Sequence, residues 1–160
     1  MPAAVYPVVF FLAHTGARRG EAAALVWEDV DLDQEIVRLT SWKTNKGMTR
    51  RSVPLTPRLA ALLKTLPRHR PRVFLDARGR PWAPSEISRV WRIGVERAGI
   101  ADAQLHDLRR AFASQLVRNG ADLMAIAKLL GHSDLTMLQS VYAQVCPDHA
   151  RDAINKLLYP

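Results

Sequence analysis

The sequence predicts a mainly α-helical domain that carries one small antiparallel β-sheet. Three observations predict it. From Leu105 onward the text is almost all helix, interrupted by Gly120, Gly131 and Pro147. One pair of extended segments, 34–40 and 49–55, flanks the turn chemistry of Asn45-Lys46-Gly47. With 160 residues, 48% of them apolar and 24% charged, the chain suits one domain long enough to bury a core.

Each element follows from its residues. The apolar run inside 3–14 predicts a core helix stopped by Thr15-Gly16; it is too short to span a bilayer and lacks a signal-peptide pattern. A second helix is expected near Arg18 to Val26, around Ala22, Ala23, Ala24 and Leu25, followed by a loop punctuated by Asp29, Asp31 and Asp33. Alternation in 34–40 and again in 49–55 makes a hairpin whose tip region holds Lys43 and Lys46. Thr56 caps a helix with Pro57 at its first position and Leu59, Leu62, Leu63 and Leu66 at helical spacing. A short strand is expected at 73–75, and Pro84-Ser85 opens a helix that closes at Gly99. Four helices complete the chain at 105–118, 122–130, 134–144 and 148–158; Asn119-Gly120-Ala121 joins the first two in a helix-turn-helix-like way. Trp27, Trp82 and Trp91 are expected in the core.

The formal net charge is +8 and the pI near 10.4, which favours a polyanionic partner, most often nucleic acid. Arg50, Arg51, Arg68, Arg70, Arg72, Arg78 and Arg80 are candidates for phosphate contacts or plain solvation. Cys146 is the sole cysteine, so an internal disulfide and a cysteine metal cluster are excluded, and a reducing cytoplasm or nucleoid is expected. There is no glycine-rich nucleotide loop and no His-Glu-x-x-His signature, so nothing asks for a nucleotide or metal cofactor.

Cleaving a phosphodiester without a metal needs fixed positive charge facing the non-bridging oxygens. Guanidinium groups supply it with paired donors. Arg18 and Arg109 are candidates, and on a helix Arg109 shares a face with His106, three residues earlier. Tyr142 can attack as a phenolate if nearby charge and a proton acceptor, His106 or His132, assist it. A lysine on the hairpin, Lys43 with Lys46 as competitor, can protonate the leaving oxygen.

These residues stand in boxes that resemble the catalytic domain of the tyrosine recombinase (phage integrase) family. Thr15-Gly16-Ala17-Arg18-Arg19-Gly20-Glu21, with Leu25 to Asp31 behind it, resembles the first arginine box. Lys43-Thr44 and Arg51-Ser52-Val53-Pro54-Leu55 resemble the lysine hairpin. His106-Asp107-Leu108-Arg109, Leu130-Gly131-His132 and Tyr142-Ala143 resemble the remaining three. The resemblance implies that Arg18 and Arg109 clamp the scissile phosphate, with Glu21 orienting side chains around them. It implies that Lys43 protonates the leaving 5′ oxygen, His106 assists the tyrosine, His132 hydrogen-bonds the phosphate, and Tyr142 forms a 3′-phosphotyrosine bond.

By the same resemblance the partner is double-stranded DNA, bound as a tetramer by the full-length protein, and this single domain is expected to be monomeric. A separate N-terminal DNA-clamping domain and the first helix of the catalytic domain are expected to be missing. The step from His132 to Tyr142 is one residue longer than the family's usual spacing, which would turn a continuous helix by about 100°. Two alternatives stand beside this reading: a catalytically impaired DNA-binding remnant of the same fold, and an unrelated helix-turn-helix regulator.

Overall fold

The computed structural model describes residues 3–43 and 47–131, with Ala3, Trp42 and Lys43 described by their backbone alone. Lys46, His132, Tyr142 and Cys146, and the helices expected at 134–144 and 148–158, lie outside the described residues.

The described chain runs α1 (Tyr6–Thr15), α2 (Arg19–Ala24), β1 (Val30–Asp31), β2 (Ile36–Lys43), β3 (Gly47–Pro54), α3 (Pro57–Thr65), α4 (Pro84–Arg97), α5 (Asp107–Arg118) and α6 (Leu123–Leu130). This is the expected mainly helical fold with a small sheet. The sheet is antiparallel in the order β1-β2-β3, with Ile36 opposite Pro54 and Lys43 opposite Gly47 at the two ends of the hairpin.

Two expectations need correction. The stretch around Asp31 is not only loop: Val30 and Asp31 pair with Val37 and Ile36 as β1. Two residues are too few to show alternation, and it is the free edge of β2 that recruits them. Conversely, 73–75 does not form a strand. Val73 and Phe74 are buried, but the ladder there is limited to isolated bridges, Val26 with Arg72 and Leu75 with Pro81.

The helices begin and end where their side chains satisfy orphan backbone groups. Thr56 Oγ1 accepts the Leu59 N–H at 3.3 Å, and Asp122 accepts the Ala125 N–H at 2.9 Å, opening α3 and α6. Gly16 and Gly131 close α1 and α6 in the left-handed conformation, at φ 60° and 64°. Gly16 is needed for a second reason. A Cβ there would lie 2.6 Å from a Phe112 ring carbon and 2.7 Å from a Leu130 methyl, so α5 and α6 approach the end of α1 only because the side chain is absent.

The main core joins α1, α2, the sheet, α3 and α4 through Val8, Phe11, Ala22, Leu39, Val53, Leu59, Leu63 and Ile87, all at most 1% exposed. Burying side chains of this size stabilises by about 1.5–3 kcal/mol each. Ala113, Val117, Ile126, Ala127 and Leu130 form a second cluster between α5 and α6. Trp82 is in the core as expected. Trp27 and Trp91 are half-buried: Arg68 lies 5.0 Å over the Trp27 ring, and Trp91 Nε1 donates to the Ala103 carbonyl at 3.0 Å. Among the described residues no helix is long and apolar enough to cross a membrane, and no cluster of side chains could hold a metal ion.

Candidate active site

The turn from α1 to α2 builds one wall of the site. Thr15 Oγ1 donates to the Phe11 carbonyl at 2.7 Å and accepts the Ala17 N–H at 3.2 Å, fixing the chain as it leaves the helix. Arg18 then stands at the N-cap of α2, and Glu21 reaches back to accept its backbone N–H at 2.6 Å. The same carboxylate accepts from Arg18 Nη1 at 2.9 Å, and that nitrogen also donates to Ser41 Oγ on β2 at 3.3 Å. Arg18 Nη2 and Nε make no hydrogen bond among the described residues.

Arg109 rises from α5 and is 2% exposed. Its Nη1 donates to the Gly16 carbonyl and its Nη2 to the Leu130 carbonyl, both at 2.5 Å. These two carbonyls are unsatisfied ends of α1 and α6, so one guanidinium ties three helices together. A guanidinium carries five N–H donors, so others remain for a ligand. Burial, together with the charges of Arg18 and Arg51, lowers the Arg109 pKa to about 10, which leaves it cationic at neutral pH.

His106 occupies the N-cap position of α5 rather than its first turn, because Asp107 accepts the Gln104 N–H at 2.7 Å and shapes the approach as a turn. Desolvation, then the charges of Arg109 and Arg110, push its pKa below the ordinary value. The neutral imidazole is therefore favoured, which suits a proton acceptor. Asp107 pairs with Arg110 at 3.6 Å, leaving Arg109 to the backbone carbonyls.

Arg18, His106 and Arg109 line one cleft of about 590 Å³ together with Arg19, Trp91 and Arg92. Lys43 ends β2; its side chain, like Lys46, His132 and Tyr142, is outside the described set. α6 ends at Gly131, directly before His132.

Arg51 overturns its expected role. Expected to face phosphate or solvent, it points inward, with its side chain 9% exposed. Its Nη1 and Nη2 grip the two oxygens of Glu21 at 2.7 and 2.8 Å, and its Nε donates to the Leu129 carbonyl at 2.6 Å. The signal was present in the alternation: Arg51 shares a strand face with Val53 and lies opposite Leu39, both buried. Burial pushes the Glu21 pKa up, but the hydrogen bonds and charge of Arg51 and the Arg18 N–H outweigh it and hold it at about 2. Of the other expected phosphate contacts, Arg50 pairs with Asp29 and Arg80 with Asp76 while staying more than half exposed, at 55% and 58%. Arg78 is exposed, and Arg72 donates to the Ala24 carbonyl.

Comparison with known proteins shows the family. The sequence model of the phage integrase family matches residues 3–149. The chain belongs to the phage integrase family, the tyrosine recombinases.

Tyrosine recombinase XerD of Corynebacterium glutamicum is 36% identical over 155 residues, covering 91% of this chain and 49% of that protein. Tyrosine recombinase XerA of Pyrococcus furiosus is 30% identical, covering 93% of this chain and 53% of its own length. The chain thus spans about half the length of the curated relatives it matches. Among solved structures, a crystal structure of XerA recombinase superposes with a TM-score of 0.74 at 27% identity, covering 99% of this tyrosine recombinase chain and 58% of the other. The catalytic domain of bacteriophage HP1 integrase gives 0.68 at 29% identity, covering 94% of this chain and 80% of that one.

Proposed function

We propose that this tyrosine recombinase chain cleaves and rejoins double-stranded DNA at specific sites through a covalent 3′-phosphotyrosine intermediate, without metal or ATP. One observation carries the reading. Arg18 and Arg51 share a single carboxylate, Glu21, and with the charge of Arg109 close by they leave an excess of positive charge beside a solvent-accessible cleft lined by Arg18 and Arg109. Such a cluster of like charges is stabilised by an anion, and a phosphodiester fits its planar donors.

In the proposed step, Arg18 and Arg109 hold the non-bridging oxygens and stabilise the charge that develops on them. The Tyr142 oxygen attacks phosphorus while its proton passes to neutral His106. The P–O5′ bond breaks, and Lys43 protonates the departing 5′ oxygen. His132 hydrogen-bonds the phosphate. The new phosphotyrosine ester replaces the broken phosphodiester, so a 5′ hydroxyl can reverse the reaction with no external energy source. The full-length protein would work as a tetramer on paired DNA, and this chain alone as a monomer.

The test is a nicked double-stranded suicide substrate, from which the short fragment bearing the new 5′ hydroxyl diffuses away and leaves the covalent adduct trapped. The wild type is expected to form an adduct that resists denaturant, and Tyr142→Phe to bind DNA without forming one. An adduct in Tyr142→Phe would refute the choice of nucleophile. DNA binding by the wild type without any adduct would point instead to a DNA-binding remnant.

A further inference from the structure

We propose that Arg51 is a positioning residue for strand cleavage: it neutralises Glu21, so that Arg18 keeps its charge for the phosphate, and it fixes the end of α6 from which His132 extends. This deepens the recombinase reading and rests on it.

The electrostatic half of the argument follows from the pairing. Glu21 is 5% exposed and is bonded to two guanidiniums. With Arg18 as its sole partner, Glu21 would cancel the charge that faces the cleft. Arg51 takes both carboxylate oxygens in a fork and restores one net positive charge to the trio. Arg18 contacts Glu21 through its backbone N–H and through Nη1 alone, so Nη2 and Nε stay clear of the carboxylate.

The mechanical half concerns α6. Arg51 Nε holds the Leu129 carbonyl, and Arg109 Nη2 holds the Leu130 carbonyl. Two guanidiniums from different elements thus satisfy consecutive last-turn acceptors of one helix. Arg51 also packs closely on the turn that follows: a Cβ on Gly131 would sit 3.1 Å from Arg51 Cδ. The arginine box, the β-hairpin and the end of α6 are therefore linked through one buried side chain.

The experiment compares wild type, Arg51→Lys, Arg51→Met and the double variant Arg51→Met/Glu21→Gln on the nicked suicide substrate. Single-turnover cleavage is measured at saturating protein, together with DNA affinity and thermal unfolding. Arg51→Met should cleave about a hundredfold more slowly, the size of effect seen when one preorganised donor is lost, with DNA affinity changed by less than about threefold. Arg51→Lys keeps the charge without the fork and should fall between. Removing the Glu21 charge in the Arg51→Met background should restore at least about tenfold, because the uncompensated carboxylate is then gone. A residue that only supports the fold would regain its unfolding temperature in the double variant, with the cleavage rate unchanged across the variants at a temperature where all of them are folded. If Arg51→Met does not fold, Arg51→Lys and the double variant decide the matter. Wild-type rates in Arg51→Lys and Arg51→Met, or a double variant slower than Arg51→Met, would overturn the role of Arg51. A wild type that forms no adduct would overturn the recombinase reading and this role within it.

Discussion

Glu21 and Arg51 form a two-point ion pair across the interior, with both carboxylate oxygens taken by the two terminal nitrogens at 2.7 and 2.8 Å. They come from a short helix and a strand, 30 residues apart in sequence. Their pairing makes the first arginine box inseparable from the hairpin.

Stability should depend on pH through Glu21. Its folded pKa, about 2, lies below the ordinary 4.5, so the folded state favours the ionised form. The stabilisation is fully present above pH 4.5 and is lost as the pH falls toward 2. The shift corresponds to about 3 kcal/mol. Urea denaturation between pH 6 and pH 2 should show this loss, and Glu21→Gln should flatten the slope in that window. An unchanged slope in Glu21→Gln would show that other groups dominate.

Gly16→Ala should destabilise by about 2–4 kcal/mol, combining a left-handed backbone with overpacking against Phe112 and Leu130. Because the Gly16 carbonyl holds Arg109, the variant should also lose cleavage activity out of proportion to any loss of fold. Denaturant titration and single-turnover cleavage at a temperature where the variant remains folded would check both parts.

His106 should titrate below the ordinary histidine value, and Arg110→Gln should raise it, since desolvation and the charges of Arg109 and Arg110 lower it in the wild type. NMR of the imidazole carbons reads this directly. In the proposed reaction the acid limb of the cleavage rate should follow the same group. It should therefore move to higher pH in Arg110→Gln.

Arg19 and Arg92 are exposed on the wall of the cleft, Arg19 bonded to Ser88 at 2.6 Å and Arg92 pairing loosely with Glu96 at 4.0 Å. If DNA lies across this opening, Arg19→Gln and Arg92→Gln should each weaken binding and reduce the salt dependence by about one released counterion. Cleavage at saturating protein should be unchanged. Binding isotherms over a range of salt concentrations would show it, and an unaltered salt slope would place the DNA elsewhere.

The sequence by itself determined the elements whose causes are local. Thr56-Pro57 and Asp122 started helices, Thr15-Gly16 and Gly131 stopped them, and the alternation in β2 and β3 made the hairpin, because caps, turns and periodicity act within a few residues. It also gave the order of the boxes, and thereby the family. Where each charged side chain points was decided only in three dimensions. Arg50 and Arg51 are neighbours, yet one pairs with Asp29 at the surface and the other is buried against Glu21 and Leu129. Arg109 became a tie between three helices because Gly16 let them approach. A buried charge is stable only where distant groups supply its partners, and which groups arrive is a property of the packed fold rather than of any segment.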